Sequence, residues 1–265
     1  MYKMSFICVI GPCWNNLQTL LNTINNNKTL VPTIKKFYIP TNDINVHNYF
    51  CHLNDPTIVS YHFDENQGHQ TSCYNAIISG MKMIIEHEYK DRNASQAGAS
   101  EAGASASEAG ASASGAGASA SDAGASGAGD EDIVIFSHED VYINDMRLFD
   151  NAISKFKNGY EVVCRLYTGT AKGEALDYYM NDAFFIKKNK VKEIFGNTEK
   201  KQIIIGNFCE KEFTTIIKNY KVFSIPYYLH STHKDSELGF HHILNYNIGN
   251  IPFWDKSNMD MILSL

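Results

Sequence analysis

Short apolar runs alternate along this chain with segments whose apolar residues recur at helical spacing, a pattern that predicts strands and helices in turn. The predicted strands are Phe6 to Ile10, Ile34 to Ile39, Thr57 to His62, Asp132 to Phe136, Glu161 to Tyr167, Met180 to Ile186 and Lys221 to Leu229. The predicted helices are a stretch containing Leu17, Leu20, Leu21 and Ile24, the segment Ser72 to His87, and Glu210 to Asn219. This alternation predicts an α/β fold with a mostly parallel central sheet and helices on both faces.

One segment breaks the pattern. From about Ala94 to Gly129 the chain consists almost entirely of alanine, glycine and serine. Ordering such a segment costs roughly 1 to 2 kcal/mol of backbone entropy per residue, and its small side chains bury too little to offset that cost. The composition therefore predicts a disordered insertion, at about 94–129, in a single catalytic domain that spans 1–265.

Composition narrows the function classes. The 265 residues carry a formal net charge of -6, which argues against a nucleic-acid partner because such proteins usually present a basic face. No stretch approaches the roughly 20 apolar residues of a transmembrane segment. The six cysteines lack the spacing of a zinc or redox motif, which favours reduced thiols and a cytoplasmic location.

The polar residues that follow the first four strands are the candidates for chemistry. They are Pro12-Cys13-Trp14-Asn15, Thr41-Asn42-Asp43, the loop from Asp64 to Gly68, and Ser137-His138-Glu139-Asp140. In an open α/β sheet, ligands bind at the carboxyl ends of the strands, so we expect these loops to form one site.

The order of these motifs resembles that of the family 2 type of GT-A glycosyltransferases over most of the chain apart from the insertion. Pro12-Cys13-Trp14-Asn15 is similar to the Pro-x-Tyr-Asn opening of that family, and Asn66-Gln67-Gly68 with Tyr74-Asn75-Ala76 is similar to its Asn-x-Gly and Arg-Asn signature. His138-Glu139-Asp140 stands in place of the Asp-x-Asp motif. The resemblance implies a GT-A fold and a nucleotide-sugar donor, with a glycan or protein as acceptor.

A divalent cation is expected beside the diphosphate, because it lowers the barrier to departure of a highly charged leaving group. Asp140 is the first predicted ligand of Mn²⁺ or Mg²⁺, and His138 fits best with manganese, which tolerates imidazole. The resemblance implies His230 as a third ligand or phosphate contact. The alternative is that His138-Glu139-Asp140 is only a polar strand end that faces water.

The resemblance also implies the residues that contact the donor. Asp43 would accept a hydrogen bond from the base, Asn75 would lie near the ribose or phosphates, and Trp14 would flank the base. The remaining predicted donor contacts are Pro12, Asn15, Asn66, Gly68 and Glu139. The alternative for Asp43 and Asn75 is a turn or helix cap, which Asx residues favour, and for Trp14 a place in the core.

Transfer with inversion needs a carboxylate that takes the proton of the acceptor hydroxyl. The family's Glu-Asp pair would fall on Asn207-Phe208, so Glu210 is the nearest candidate base, followed by Glu212 and Asp182. An acid in the first turn of a helix also has a purely electrostatic explanation, because it complements the helix dipole.

The resemblance therefore implies a metal-assisted glycosyltransferase. Two other functions stay open. A nucleotidyltransferase-like enzyme would share the sheet and the metal ion but normally has a glycine-rich basic phosphate loop, a character that Gly11-Pro12-Cys13-Trp14 lacks. A catalytically inactive sugar-nucleotide-binding module would explain His138 and the absence of the Glu-Asp pair.

Overall fold

The computed structural model describes residues 6–11, 17–63, 69–103, 132–138, 141–143, 147–171, 174–204, 207–227 and 240–242. The helices are α1 (Leu17–Leu30), α2 (Ile44–Leu53), α3 (His69–Gly103), α4 (Arg147–Lys157), α5 (Lys188–Phe195) and α6 (Cys209–Ile217). The strands are β1 (Phe6–Ile10), β2 (Ile34–Thr41), β3 (Ile58–His62), β4 (Ile133–Ser137), β5 (Val141–Ile143), β6 (Val162–Ala171), β7 (Glu174–Lys187), β8 (Val222–Tyr227) and β9 (Phe240–His242).

Seven strands form one sheet in the order β3-β2-β1-β4-β7-β6-β8. Its pairings are parallel except for the two that β7 makes with β4 and β6, which confirms the prediction of a mostly parallel sheet. β5 and β9 form a separate antiparallel pair. No helix in the described part of the chain combines the length and apolarity needed to cross a bilayer.

Helices cover both faces of the sheet, as the alternation of elements predicted. On one face, Phe184 of β7 stacks on Phe136 of β4 with ring centroids 5.0 Å apart and meets Phe213 of α6 at 4.7 Å. Residues of α3 and α5 complete that cluster. On the other face, Phe149 of α4 packs edge-on against Phe185 at 5.5 Å, and α1 and α2 cover β2.

Three helices, α2, α4 and α5, were not among the sequence predictions. α2 is short, and of its residues Val46 and Phe50 are buried, so its apolar stripe is narrow. It begins where Asp43 caps it: the Asp43 carboxylate accepts a hydrogen bond from the Asn45 amide at 2.8 Å. A good N-cap contributes about 1 kcal/mol, which here helps a helix whose hydrophobic signal is weak.

Helix α3 differs from the prediction at its carboxyl end, because it continues to Gly103, inside the segment expected to be disordered. Alanine is the best helix former, and adding a residue to an existing helix avoids the cost of nucleation. Residues 104–131 lie outside the described residues, so the prediction of disorder stays a prediction for them.

Candidate functional site

The order of the strands fixes where a crevice opens. From β1 the chain runs outward through β2 to β3 and then returns to β4 on the opposite side of β1. The switch in direction lies between β1 and β4, and in open α/β sheets ligands bind at the carboxyl ends of the strands beside such a point. Gly11 ends β1 there, and its amide donates to the Ser137 carbonyl at 3.3 Å. A Cβ atom at Gly11 would lie 2.9 Å from the Pro40 carbonyl oxygen, so glycine allows the strand ends to approach.

Asp43 follows β2 at the same edge. A cavity of about 350 Å³ opens beside it, lined by Leu17, Asp43, Asn45 and Val46. The Asp43 amide donates to the Thr41 hydroxyl at 3.0 Å, which fixes the turn between strand and helix. The sequence left two roles open for Asp43, a helix cap and a contact with the donor. In the structure Asp43 caps α2 and also lines a cavity.

His138 lies directly after β4. Its backbone amide donates to the Asp182 carbonyl at 2.9 Å, so the ladder of β4 and β7 extends past Ser137, which pairs with Ala183. The imidazole and the Phe136 ring form a T-shaped contact with centroids 5.7 Å apart. The structure therefore brings two predicted site residues, His138 and Asp182, into neighbouring positions on adjacent strands.

The Asp182 carboxylate forms an ion pair with Arg165, whose side chain has no exposed surface. Asp182 itself is 4 % exposed, and its Oδ1 accepts from the Ala183 amide at 2.9 Å. A buried guanidinium needs a charged partner, since an uncompensated charge in the interior costs several kcal/mol. Asp182 is thus committed to neutralising Arg165, which argues against the predicted role as a base.

Sequence reasoning missed Arg165. The available signal was a charged residue inside the apolar run from Glu161 to Tyr167, together with a second charge, Asp182, inside another predicted strand. Asn181, beside Asp182, is 1 % exposed, and in the described part of the chain neither atom of its amide has a hydrogen-bond partner. Asn181 and Asp182 are thus the polar residues of β7 that lie beside the carboxyl end of β4.

Asn75 lies in α3 and is 7 % exposed. Its amide oxygen accepts from the Lys201 backbone amide at 3.0 Å, and Thr71 and Gln70 make similar bonds to the Ile203 amide at 3.0 Å and the Cys209 amide at 2.7 Å. Three side chains near the start of α3 therefore hold the segment that leads into α6. Asn75 has a structural role here, and its predicted contact with the donor stays a prediction.

These bonds place Glu210 at the carboxyl edge of the sheet. Helix α3 starts after β3, so its first turns lie at that edge, and the bond from Gln70 to Cys209 brings the start of α6 beside them. Glu210 accepts a hydrogen bond from the Cys209 thiol at 3.4 Å. The neighbouring Phe208 is 49 % exposed.

Glu212 lies further along α6, and its carboxylate is engaged by a residue outside that helix. Its carboxylate forms an ion pair with Lys201, whose ammonium lies 5.4 Å from the centre of the Tyr74 ring. Burial raises the pKa of Tyr74, and the negative charge of Glu212 raises it further. Of the two acids predicted in this helix, Glu210 is therefore the one without an ion pair to a lysine or arginine in the described part of the chain.

Strand β9 pairs with β5, the strand that follows the predicted metal motif in the sequence. Its backbone register places His242 opposite Val141, the residue that follows Asp140. The other predicted site residues lie outside the described residues: Pro12, Trp14, Asn15, Asn66, Gly68, Glu139, Asp140 and His230. Among residues that the structure does describe, no three histidine, cysteine, aspartate or glutamate side chains form a group suited to a metal ion.

No protein-family model matches the chain, and neither does any curated protein sequence. Solved structures similar to it include a 4-diphosphocytidyl-2C-methyl-D-erythritol synthase from Anaerococcus prevotii, at 8% identity and a TM-score of 0.44 over 99% of this chain and 98% of that one. A mannosyltransferase from Pyrobaculum calidifontis in complex with GDP-Man and Mn²⁺ is similar at 10% identity and a TM-score of 0.45. That match covers 85% of this chain and 56% of that one.

A CMP:2-keto-3-deoxy-manno-octonic acid synthetase complexed with CTP is similar at 8% identity and a TM-score of 0.43, over 84% of this chain and 90% of that one.

Proposed function

We propose that this protein is a GT-A-like glycosyltransferase that moves a sugar from a nucleoside diphosphate sugar to a hydroxyl group of a glycan or protein, with a divalent cation at the diphosphate. The observation that carries the proposal is the placement of Asp43 and His138 on either side of β1 at the switch point of the sheet. Asp43 lines a cavity, and His138 begins the predicted metal motif.

The spacing supports a nucleotide that lies across this edge. β2 and β4 are separated by β1 alone, so their ends are about 10 Å apart at about 4.8 Å per strand. The base would enter the cavity beside Asp43, whose carboxylate would accept from a ring N–H, and the phosphates would extend across Gly11 toward His138.

The donor set at the end of β4 fits a divalent cation. His138 supplies an imidazole, and Asp140, two residues later, supplies a carboxylate, a combination that manganese accepts. Asp182 does not compete for the ion because Arg165 holds its carboxylate. When bound, the cation would neutralise charge on the departing nucleoside diphosphate.

His230 is the predicted third ligand of that cation. The pairing of β5 with β9 favours a contribution from the carboxyl-terminal part of the chain, because it places the backbone of His242 opposite Val141. Removing each histidine in turn, and measuring the affinity for Mn²⁺, decides between them.

On the acceptor side, Glu210 is the proposed base. It would take the proton of the attacking hydroxyl as that oxygen reaches the anomeric carbon, and its position at the carboxyl edge puts it beside the crevice. The exposed ring of Phe208 next to it offers an apolar surface for the face of an acceptor sugar. This arrangement supports an inverting transfer.

A thermal-shift screen of UDP-, GDP-, dTDP- and CMP-sugars, with and without Mn²⁺, tests the proposal. A ligand present at a hundred times its dissociation constant stabilises the folded state by about 2.7 kcal/mol. We expect one nucleotide class to stabilise the protein in a metal-dependent way and Asp140→Ala to lose the effect. Asp132→Ala is the matched control, because Asp132 lies at the opposite end of β4 and binds Lys188 at 3.1 Å.

The other outcomes are equally informative. Stabilisation by a nucleoside triphosphate with release of pyrophosphate would identify a nucleotidyltransferase. Stabilisation by a nucleotide sugar without transfer or hydrolysis would identify an inactive binding module. No response to any nucleotide would overturn the proposal.

A further inference from the structure

Strand β3 forms an open edge of the seven-stranded sheet. It pairs with β2 on one side, and no other strand in the described part of the chain pairs with its outer side. The pairing with β2 is regular from Ile58 to His62, without a bulge that would twist the edge away. An edge of this kind presents unpaired backbone N–H and C=O groups, to which another strand can bind.

The bonds to β2 show which backbone groups of β3 point outward. The Phe37 amide donates to the Thr57 carbonyl at 2.7 Å, and the Phe63 amide donates to the Thr41 carbonyl at 2.9 Å. Thr57 and Phe63 therefore direct these groups toward β2. Because the direction alternates from one residue of a strand to the next, three residues between them direct their amides and carbonyls outward, namely Ile58, Ser60 and His62.

These outward groups are symmetric about Ser60. When a second copy of β3 lies antiparallel beside the first, Ser60 faces Ser60 of the second copy, and Ile58 of each copy faces His62 of the other. Residues that face each other in this way exchange both of their backbone hydrogen bonds. The three N–H and three C=O groups of each outer edge are then all bonded, so this edge is complementary to itself.

The side chains of β3 also fit this pairing. Ser60 Oγ lies 3.1 Å from His47 Nδ1, so Ser60 faces α2, and its neighbours Val59 and Tyr61 point to the other face of the sheet. The pairing about Ser60 puts Val59 opposite Tyr61 of the second copy, and an aromatic residue opposite a β-branched one is a favourable cross-strand pair. Tyr61 is 45 % exposed in the single chain, so its ring is available for this contact.

The absence of charge along this edge favours a second copy as the partner. Natural edge strands commonly carry charged residues or proline, which prevent association. β3 has neither, and α2 beside it has no lysine, arginine, aspartate or glutamate from Ile44 to Leu53, although such residues make up 20% of the chain. Two copies therefore meet along this edge without like charges that face each other.

We propose that two copies of this chain associate through the outer edges of their β3 strands, which pair antiparallel about a two-fold axis at Ser60. The two seven-stranded sheets then form one continuous sheet. Because the two β3 strands run in opposite directions, the carboxyl edges of the two sheets, and the candidate sites with them, face opposite ways. The dimer therefore does not depend on the proposed function.

Sedimentation velocity of the full chain over a dilution series measures the association. We expect a species of twice the 29.7 kDa chain mass that dissociates on dilution. Tyr61→Lys should raise the dissociation constant at least about tenfold, because each dimer loses two contacts between Val59 and Tyr61 and gains two lysines. Tyr49→Lys is the matched control: Tyr49 is 38 % exposed and lies about 200° around α2 from His47, the residue that contacts β3.

Hydrogen exchange of the wild-type chain, resolved at single amides by NMR, tests the register without a substitution. We expect the Ser60 amide to exchange more slowly in the dimer than in the diluted monomer. Equal exchange in the two states would overturn the proposal, because the Ser60 amide would then be outside the interface or covered by another segment of the same chain. This comparison decides if Tyr61→Lys does not fold.

The sedimentation experiment has outcomes that contradict the proposal as well. A wild-type chain that stays monomeric at every concentration would overturn it. A dimer that Tyr61→Lys leaves intact, or that both lysine variants weaken equally, would place the interface away from β3.

Discussion

The backbone amide of His138 donates to the carbonyl of Asp182 at 2.9 Å, which makes a predicted metal ligand and a predicted base direct neighbours across two antiparallel strands. Side chains of residues opposite each other in such a pair have Cβ atoms about 4.5 to 5.5 Å apart. Arg165 forms an ion pair with the Asp182 carboxylate, so the negative charge on the strand beside His138 is neutralised.

Removing that carboxylate should destabilise the protein. We expect Asp182→Ala to lower the free energy of unfolding by about 3 to 5 kcal/mol, because the buried Arg165 guanidinium would lose the carboxylate that forms its ion pair. Urea unfolding followed by circular dichroism measures the loss. Glu193→Ala is the control: Glu193 binds Lys190 at 2.8 Å at the surface, and exposed pairs contribute at most about 1 kcal/mol. Similar losses in both variants would contradict the assignment.

Asp43 allows its two roles to be separated. Asparagine caps helices as well as aspartate does, so Asp43→Asn should keep the stability of α2, whereas Asp43→Ala should lose about 1 kcal/mol. Both changes remove the negative charge at the cavity and should weaken donor binding. Isothermal titration with the nucleotide sugar found in the screen gives the affinity. Wild-type affinity in Asp43→Asn would show that Asp43 is a cap alone.

Glu210 and Glu212 lie in the same helix, so a variant of Glu212 is a matched control for a variant of Glu210 in the acceptor step. Glu210→Gln should lower kcat by about 10² to 10⁴ while the donor still stabilises the protein in a thermal-shift assay, because the base acts on the acceptor alone. Glu212→Gln breaks the ion pair with Lys201 and should leave kcat close to that of the wild type. Steady-state kinetics with a saturating donor measures both. An equal loss in the two variants would move the base elsewhere.

Asp55 is expected to make the stability of the folded protein depend on pH, independently of the candidate site. Hydrogen bonds from the Thr57 hydroxyl and amide, at 2.6 and 2.8 Å, and the nearby Lys28 lower the pKa of this carboxyl group. Its stabilising effect is therefore fully present above the unfolded-state pKa of about 3.9 and is lost as the pH falls through the folded-state value.

Unfolding of Asp55→Asn and wild type in urea at pH 7 and pH 3 measures this effect. We expect the variant to be less stable at pH 7 and the difference to be smaller at pH 3, where a larger share of the wild-type Asp55 carboxyl group is protonated. A difference that does not change between the two pH values would mean that Asp55 acts through its shape rather than its charge.

The sequence by itself determined the alternation of strands and helices, because buried strands of a parallel sheet read as short apolar runs wherever they occur. β1 and β4 were predicted within a residue of their bounds for this reason. It also indicated that the polar residues after β1 to β4 belong to one edge, since parallel strands end on the same side. Local signals of this kind do not depend on which strands become neighbours.

Tertiary structure decided which of those polar residues are available. The sequence ranks Glu210, Glu212 and Asp182 by position alone, but Lys201 and Arg165 engage two of them from outside their own helix or strand. It likewise gives no sign that Asn75 holds the Lys201 backbone. These outcomes depend on contacts between different elements of the fold, and periodicity along one segment carries no information about such partners.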